Sequence, residues 1–234
     1  MKDRVIAIDG PSGSGKSTIT KLFADKIGFT YLDTGAMFRA LAYKLNTLDI
    51  DFSRDTLTST EELEVERFLD NLDFQYAPTE NVLISVNGED LTRKIREHHV
   101  SKLASQTSKF SVVREFLANL QRKIAKRSPC ILEGRDIGTV IFPNAALKFY
   151  LTANSDVRAE RRLEQLQEKG KADGLTLKQI KEDIEKRDDQ DTQREVAPLK
   201  KADDAFEIDT SNRTVKEVLN LMFNLFQDKE SLFK

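Results

Sequence analysis

One eight-residue segment, GPSGSGKS at positions 10–17, constrains this 234-residue sequence more than any other feature. An apolar run fills positions 5–8 before it, and Ile19, Phe23 and Ile27 recur at helical spacing after it. The order strand, glycine-rich loop, helix is the context in which the pattern G-x-x-x-x-G-K-[ST] binds nucleotide phosphates. We therefore interpret residues 10–17 as a phosphate-binding loop, called the P-loop below.

The residue types in the P-loop explain its chemistry. Glycines allow backbone amides to converge on phosphate oxygens, and the N-terminus of the following helix adds positive potential. Lys16 is predicted to reach the β- and γ-phosphates of ATP, and the Ser17 hydroxyl is predicted to ligate Mg²⁺. The predicted ATP-binding residues in and directly after the P-loop are Gly10, Pro11, Ser12, Gly13, Ser14, Gly15, Lys16, Ser17 and Thr18.

Short apolar runs elsewhere in the sequence alternate with helical stretches. The runs fill positions 29–32, 131–132, 147–151 and 206–208. This alternation predicts an α/β fold with a parallel sheet and helices on both faces. Helix starts are predicted from three pairs with capping-box spacing, namely Ser59 with Glu62, Thr176 with Gln179 and Thr214 with Glu217.

Two segments do not fit the alternation. Between positions 73 and 91, two strand-like runs flank polar residues and are followed by Asn87-Gly88, which predicts a small antiparallel insertion. Positions 155 to about 198 are charged and helical, with Gly170 and Gly174 marking a break between two helices. This second segment has little apolar surface to bury, so we expect it to be mobile.

Composition argues against several classes of protein. The 37 basic and 39 acidic side chains give a net charge of −2, so no overall field attracts nucleic acid or a membrane surface. No window approaches the roughly 18 apolar residues of a membrane span, and the N-terminus lacks a signal-peptide pattern. The single cysteine, Cys130, lies in an apolar run and is expected to be a buried thiol. We therefore expect a cytoplasmic protein.

The P-loop by itself does not identify the second substrate. A GTPase needs an Asn-Lys-x-Asp motif, which this sequence lacks, and an alcohol kinase needs a carboxylate base for the acceptor hydroxyl. An acceptor that is already a phosphate monoester needs cations instead, because its second pKa of about 6 leaves its oxygens largely anionic at neutral pH. A nucleotide-dependent switch that hydrolyses ATP without an acceptor is the alternative from another class.

Two polar segments follow predicted strands and should therefore lie at the same sheet edge as the P-loop. Arg39 ends the first segment, DTGAMFR, and Arg135 lies in the second, EGRDIG. Their guanidinium groups are predicted to clamp one phosphate between them. Glu133, at the start of the second segment, is placed to support the Mg²⁺ shell through water.

Arginines in the charged segment predict a lid over the nucleotides. Arg158 and Arg162 are four residues apart on one helical face, and Arg187 and Arg194 flank carboxylates that include Asp191. Closure would bring guanidinium groups onto the transferring phosphoryl group and exclude water. A solvated helix pair joined by salt bridges is the alternative interpretation of such charge runs.

These motifs resemble those of the bacterial cytidylate kinases, within the nucleoside monophosphate kinases. The resemblance is carried by IDGPSGSGKS at 8–17, LDTGAMFR at 32–39, GEDL at 88–91, EGRDIGTVIFP at 133–143, and RDD followed by VAPL between 187 and 199. These blocks occur in the family's order over nearly the whole chain. The resemblance implies ATP-dependent transfer of the γ-phosphoryl group to CMP or dCMP, in pyrimidine nucleotide metabolism.

The resemblance also implies an architecture. It implies one domain whose five-stranded parallel core comprises 1–58, 100–154 and 199–234. A monophosphate-binding insertion at about 59–99 and a lid at about 155–198 complete the chain. A monomer is implied as well. Uridylate kinases, adenylate kinases and small-metabolite kinases remain the alternatives among enzymes, since each would have a different pattern of base-reading residues.

Residue roles follow from the same resemblance. It implies cytosine contacts from Thr34, Ser105, Arg114 and Asp136, pentose contacts from Arg187 and Asp191, an acceptor-phosphate clamp of Arg39 and Arg135, and a contact of Arg194, with Arg187, to the transferring group. The expected catalytic residues are therefore Lys16, Arg39, Arg135, Arg187 and Arg194, and the lid adds Arg158 and Arg162 to the ATP site.

The chain departs from the family's pattern at two positions. Glu133 stands where the family usually has aspartate, and its longer arm can still reach a metal-bound water. Phe38 replaces a common tyrosine and removes one hydroxyl contact.

Overall fold

The computed structural model of the chain describes residues 2–168, 170 and 174–233. Its strands are β1 (Asp3–Asp9), β2 (Thr30–Asp33), β3 (Phe74–Thr79), β4 (Val82–Val86), β5 (Glu89–Asp90), β6 (Cys130–Gly134), β7 (Ala145–Thr152) and β8 (Phe206–Asp209). Its α-helices are α1 (Lys16–Ile27), α2 (Thr34–Leu45), α3 (Ser59–Asp70), α4 (His98–Thr107), α5 (Ser111–Ala125), α6 (Ser155–Glu168), α7 (Leu177–Gln193) and α8 (Val215–Gln227).

Five strands form a parallel sheet in the order β2-β6-β1-β7-β8. The central strand β1 is buried over its last five residues, as expected for a parallel strand that is covered on both faces. In register, Ile8 of β1 lies beside Glu133 of β6, and Asp9 lies beside Gly134. The P-loop and the segment after β6 therefore leave the sheet from neighbouring strands at the same edge.

The chain divides into two compact units. Residues up to Leu32 and from Ile124 onward form the first unit, and Asp33–Lys123 form the second. In the first unit, α1 and α8 pack on the sheet through Phe23, Phe149 and Phe226, which are buried. The ring of Phe23 lies edge-on to those of Phe149 and Phe226, with centroids 6.2 and 6.1 Å away.

The second unit contains the small antiparallel sheet, in the order β3-β4-β5. Asn87 and Gly88 join β4 to β5 with φ angles of 51° and 77°, the left-handed conformation that a two-residue hairpin turn requires. The predicted fold class is confirmed by the parallel sheet, its flanking helices and this antiparallel insertion.

The charged segment contains its own small apolar core. Helices α6 and α7 pack through the buried residues Ala159, Leu166, Ile180 and Ile184. The predicted break between the two helices falls at Gly170 and Gly174, which have left-handed φ angles, while residues 169 and 171–173 of the connection lie outside the described residues.

Two of the three predicted capping boxes are confirmed, and the third is one residue out of register. Thr176 with Gln179 and Thr214 with Glu217 begin α7 and α8 as predicted. Helix α3 is capped by Thr58 with Glu61, not by Ser59 with Glu62. Both pairs have the required spacing, and the observed register lets Glu61 accept from the backbone of Thr58 while pairing with Arg54.

Cys130 is buried at the start of β6, as predicted, and burial raises the pKa of its thiol to about 12. Among helices of the described residues, none is long and apolar enough to span a lipid bilayer.

Candidate active site

The backbone of the P-loop is shaped by glycines in conformations that other residues adopt poorly. Gly10, Gly13 and Gly15 have φ angles of 145°, 78° and 84°. A Cβ atom on Gly10 would lie 1.9 Å from the carbonyl oxygen of Leu151, so no side chain fits at this position. Helix α1 begins directly after Gly15, and the first amides of a helix have no partner within it, which makes this end an anion-binding site.

The side chain of Lys16 is buried beneath the loop, with 7% of its surface exposed. Its ammonium group donates to the carbonyl oxygens of Gly10 and Pro11, each at 2.6 Å, and to the Ser14 hydroxyl at 3.3 Å. Burial, and then the charge of Arg135, lower the pKa of Lys16 well below its usual value. The free protein therefore disfavours the charged form of Lys16, and an anion bound at the loop would stabilise that form.

Ser17, Tyr31 and Glu133 form a hydrogen-bonded group beside the P-loop. The hydroxyls of Ser17 and Tyr31 both donate to the same oxygen of Glu133, Oε1, each at 2.7 Å. Glu133 is 5% exposed. A hydroxyl and a carboxylate are hard oxygen ligands, so this pair fits the divalent metal ion that nucleotide kinases use.

Arginine and aspartate side chains from the segment after β6 and from the end of α7 form one cluster of ion pairs. Nε of Arg135 donates to Oδ2 of Asp191 at 2.9 Å, and Arg194 lies 3.5 Å from Oδ1 of Asp191 and 3.8 Å from Oδ1 of Asp136. Nε of Arg194 also donates to the carbonyl oxygen of Ala197 at 2.6 Å.

Electrostatics within this cluster favour an ionised Asp191. Burial raises the pKa of its carboxyl group, but Arg135, Arg187 and Arg194 outweigh that effect and hold the pKa below its usual value. Arg187 also lowers the pKa of Lys16, which places its charge near the P-loop. The predicted residues Arg135, Asp136, Arg187, Asp191 and Arg194 are thus brought together within the first unit.

The arginines of α6 do not share one environment. Arg158 is 6% exposed, pairs with Asp188 of α7 and donates to the carbonyl oxygen of Ser12 in the P-loop at 3.1 Å. Arg162, predicted on the same face, is exposed. Arg161 donates instead to the hydroxyl and carbonyl oxygens of Thr210, at 3.0 and 2.7 Å.

In the second unit, Asp33 organises the start of α2. One oxygen of its carboxylate caps the helix by accepting from the amide of Ala36 at 2.7 Å, and the other lies 3.4 Å from Arg39. The amide of Asp33 donates to the Tyr76 hydroxyl at 2.8 Å. Thr34, the first residue of the helix, is 3% exposed. Arg39 is therefore held by the residue that caps its own helix.

Arg114 and Ser105 lie on α5 and α4 of the same unit. Arg114 is 6% exposed, and its guanidinium group donates to the carbonyl oxygen of Ser108 at 3.0 Å. Its guanidinium carbon lies 5.3 Å from the ring centroid of Phe38, a cation–π distance. Ser105 is half-buried.

A family model, cytidylate kinase, matches residues 6–228. The chain belongs to the cytidylate kinase family. It is 44% identical over 227 residues to a cytidylate kinase of Caldicellulosiruptor saccharolyticus, and the match covers 97% of this chain and 96% of that protein. A cytidylate kinase of Thermotoga maritima is 43% identical, with 96% and 97% covered, and one of Thermodesulfovibrio yellowstonii is 45% identical, with 94% and 96% covered.

The sequence motifs did not signal three polar residues of this cytidylate kinase family member that lie near the P-loop. Tyr31 lies in a run that was interpreted only as a strand, and its hydroxyl reaches Glu133. Arg161 and Thr210 form a link to the P-loop, since the Thr210 hydroxyl donates to the carbonyl oxygen of Ser14 at 3.1 Å. The three residues are far apart in sequence, so no spacing rule signals them.

Proposed function

We propose that this protein transfers the γ-phosphoryl group of ATP to CMP or dCMP, giving ADP and CDP or dCDP. The observation that carries the proposal is the cluster of Arg135, Arg187 and Arg194 around Asp191 in the first unit. Two of these arginines also act on the buried Lys16, and the chain matches the cytidylate kinase family over residues 6–228. Cations, with no carboxylate base, are what an acceptor phosphate requires, because its attacking oxygen is already anionic at neutral pH.

The P-loop is the proposed site of the ATP phosphates. The amides between Gly10 and Thr18 bind phosphate oxygens, and Lys16 exchanges its loop carbonyls for the β- and γ-phosphates. Arg158, anchored to Ser12, and Arg162 of the same helix supply further positive charge toward ATP. Such positioning and charge neutralisation account for most of the catalysis, because phosphoryl transfer requires little covalent chemistry from the protein.

Mg²⁺ is the proposed metal ion. The Ser17 hydroxyl would ligate it and Glu133 would hold one of its waters, which agrees with the shared hydrogen bond between these two side chains. When bound, the ion neutralises phosphate charge.

The acceptor side of the proposal rests on the family's pattern. Arg39 and Arg135 bind the acceptor phosphate, Thr34, Ser105, Arg114 and Asp136 contact cytosine, Arg187 and Asp191 hold the pentose, and Arg194, with Arg187, contacts the transferring group. The buried guanidinium of Arg114 and the buried carboxylate of Asp136 support this assignment, because buried charges are suited to reading a polar base.

We also propose that the protein acts as a cytoplasmic monomer that binds neither nucleic acid nor membranes. The net charge of −2 and the single, buried cysteine support this environment.

The test is a comparison of acceptors. ADP release from Mg-ATP is measured with CMP, dCMP, UMP, AMP, GMP and no acceptor at equal concentrations. The proposal predicts that CMP and dCMP give the highest rates and that the rate without acceptor is far lower. Equal ADP release without acceptor would contradict the kinase assignment and favour a nucleotide-dependent switch.

A further inference from the structure

Asp9 is a buried carboxylate to which neither the family's substrate contacts nor the P-loop pattern assigns a role. It is the last residue of β1, immediately before the P-loop, and is 4% exposed. Its Oδ1 accepts a hydrogen bond from the amide of Ile137 at 2.9 Å, and its Oδ2 accepts one from the amide of Gly138 at 2.7 Å. One side chain therefore joins two consecutive amides that lie about 130 residues further along the chain.

The contact is closely packed as well as hydrogen-bonded. A Cβ atom on Gly138 would lie 3.3 Å from Oδ2 of Asp9 and 3.1 Å from the Cδ atom of Lys148. Gly138 has no left-handed φ angle, so this crowding, and not backbone conformation, is what favours glycine there. Lys148 is itself held by Pro143 and Asp204, at 2.7 and 2.6 Å.

The segment held by Asp9 carries two of the residues proposed to bind CMP. Asp136 immediately precedes Ile137 and is 4% exposed, and Arg135 precedes Asp136. A single π-helical turn, Ile137–Ile141, follows them. Because the amides of residues 137 and 138 both donate to one carboxylate, these two hydrogen bonds also fix the direction in which the backbone presents Arg135 and Asp136.

The P-loop has separate anchors. Gly10 packs against the backbone of Leu151, and the carbonyl oxygens of Ser12 and Ser14 accept from Arg158 and Thr210. Asp9 acts on the ATP side through its charge, which raises the pKa of Lys16 but ranks after burial, Arg135 and Glu133 among the influences on that pKa. Loss of the Asp9 carboxylate should therefore disturb the segment after β6 more than it disturbs the ATP phosphates.

We propose that Asp9 is a positioning residue that aligns Arg135 and Asp136 for the acceptor nucleotide. This inference rests on the proposed function, since it assigns CMP as the ligand of those two side chains. Asp9 acts through the backbone of residues 137 and 138, so its loss should change acceptor binding selectively.

The test compares the affinities of CMP and ATP in an Asp9→Asn variant. Asparagine retains one acceptor oxygen and turns an NH₂ group toward the second amide, so one buried amide loses its partner. We expect the dissociation constant of CMP, measured by calorimetry, to rise about tenfold. The dissociation constant of ATP should change less than about threefold, and the KM values should follow the same split.

Two further variants complete the test. Asp3→Asn makes the same chemical change at the exposed start of β1 and should leave both dissociation constants unchanged. Gly138→Ala adds a methyl group that crowds Asp9 and Lys148 without altering charge. It should also weaken the binding of CMP more than the binding of ATP. If Asp9→Asn does not fold, the affinities of the Gly138→Ala variant for CMP and ATP test the positioning role by themselves.

The outcomes separate this proposal from the proposed function. A wild type that does not phosphorylate CMP removes the proposed function, and this inference with it. If the wild type phosphorylates CMP, equal weakening of CMP and ATP in Asp9→Asn and Gly138→Ala, or no weakening of either, would overturn the positioning role alone. A loss of thermal stability with unchanged affinities would identify Asp9 as purely structural.

Discussion

Lys16 combines burial with an unusual set of neighbours. Its ammonium group donates to two loop carbonyls and the Ser14 hydroxyl. The charges of Arg135 and Arg187 lower its pKa, and the carboxylates of Glu133 and Asp9 offset them only in part, since burial also lowers it. Cations that lie this close together disfavour one another until an anion binds among them. The free protein therefore holds these residues in an arrangement that polyphosphate would stabilise.

A Lys16→Met variant should lower kcat by about 10²–10³-fold, because it removes one preorganised charge from the transferring phosphoryl group. The fold should persist, since methionine has a similar length and no charge to bury. Steady-state kinetics with CMP and circular dichroism measure the two effects. Lys21→Met, on the exposed side of α1, is the matched control and should behave as wild type. Near-normal turnover of a folded Lys16→Met protein would exclude the assigned role of the lysine.

The Tyr31 hydroxyl should matter for the metal ion, because it shares Oε1 of Glu133 with Ser17. A Tyr31→Phe variant keeps the ring and removes this one hydrogen bond, so the orientation of Glu133 becomes less fixed. We expect the gain in ATP affinity that Mg²⁺ confers to fall by roughly threefold to tenfold. Calorimetric titrations of the wild type and the variant with ATP, in the presence and absence of Mg²⁺, give the ratio of the two dissociation constants for each protein. An unchanged ratio would show that the phenol does not support the metal site.

The titration of Asp9 should appear in the pH dependence of stability. The pKa of its carboxyl group is raised from 3.8 to about 6, because burial and, to a smaller extent, the charge of Asp136 outweigh the opposing effects of the two amides and Lys16. Between these two pH values the folded state keeps a proton that the unfolded state has lost. Stability should therefore decrease as pH rises through this window, by about 3 kcal/mol in total.

This pH effect is measured by urea unfolding of the wild type and of Asp9→Asn at several pH values. The variant does not titrate at this position, so the stability of the wild type relative to the variant should decline from about pH 4 to about pH 6. A difference that stays constant over this range would mean that the pKa of Asp9 is not raised.

At the scale of elements, the strands were the most predictable part of the chain. The three inner strands, β1, β6 and β7, are mostly buried, because strands covered on both faces need apolar side chains at successive positions. The edge strands β2 and β8 are more exposed, and each was signalled by a shorter apolar or aromatic run. The orientation of α6 was harder to predict. Its charged residues surround the helix, and only Ala159, Leu163 and Leu166 mark the packed face. Spacing alone therefore predicted that Arg158 and Arg162 share a functional face. In the structure Arg162 is exposed, and Arg161 is the neighbouring arginine that donates to Thr210.

The start of α3 provides a test of register. Thr58→Ala removes the side chain that accepts from the amide of Glu61, so it should lower the free energy of unfolding by about 1 kcal/mol. Ser59→Ala, one residue later, should change it by less than about 0.5 kcal/mol. Chemical denaturation of the two variants compares them directly. A larger loss for Ser59→Ala would restore the register that the sequence predicted.

At the scale of the whole molecule, sequence motifs predicted which polar residues meet at one sheet edge but not the contacts that support them. Lys16 and Ser17 follow β1, Glu133 is the next-to-last residue of the neighbouring strand β6, and Arg135 follows β6, so topology alone brings them to one sheet edge. Ser105 and Arg114 lie on helices whose spacing gives no functional signal, and only the family resemblance singles them out. Asp9 was visible as part of a motif, but its partners at 137 and 138 depend on tertiary packing.

In the proposed reaction, ATP serves as the phosphoryl donor to a cytidine monophosphate. The most direct measurement follows a radiolabelled γ-phosphoryl group from Mg-ATP in the presence of CMP, with the products separated by chromatography. We expect the label to appear in CDP, in proportion to the ADP formed, with little release of inorganic phosphate. Label found mainly in inorganic phosphate, at a rate that does not depend on CMP, would show that the protein hydrolyses ATP and does not phosphorylate CMP.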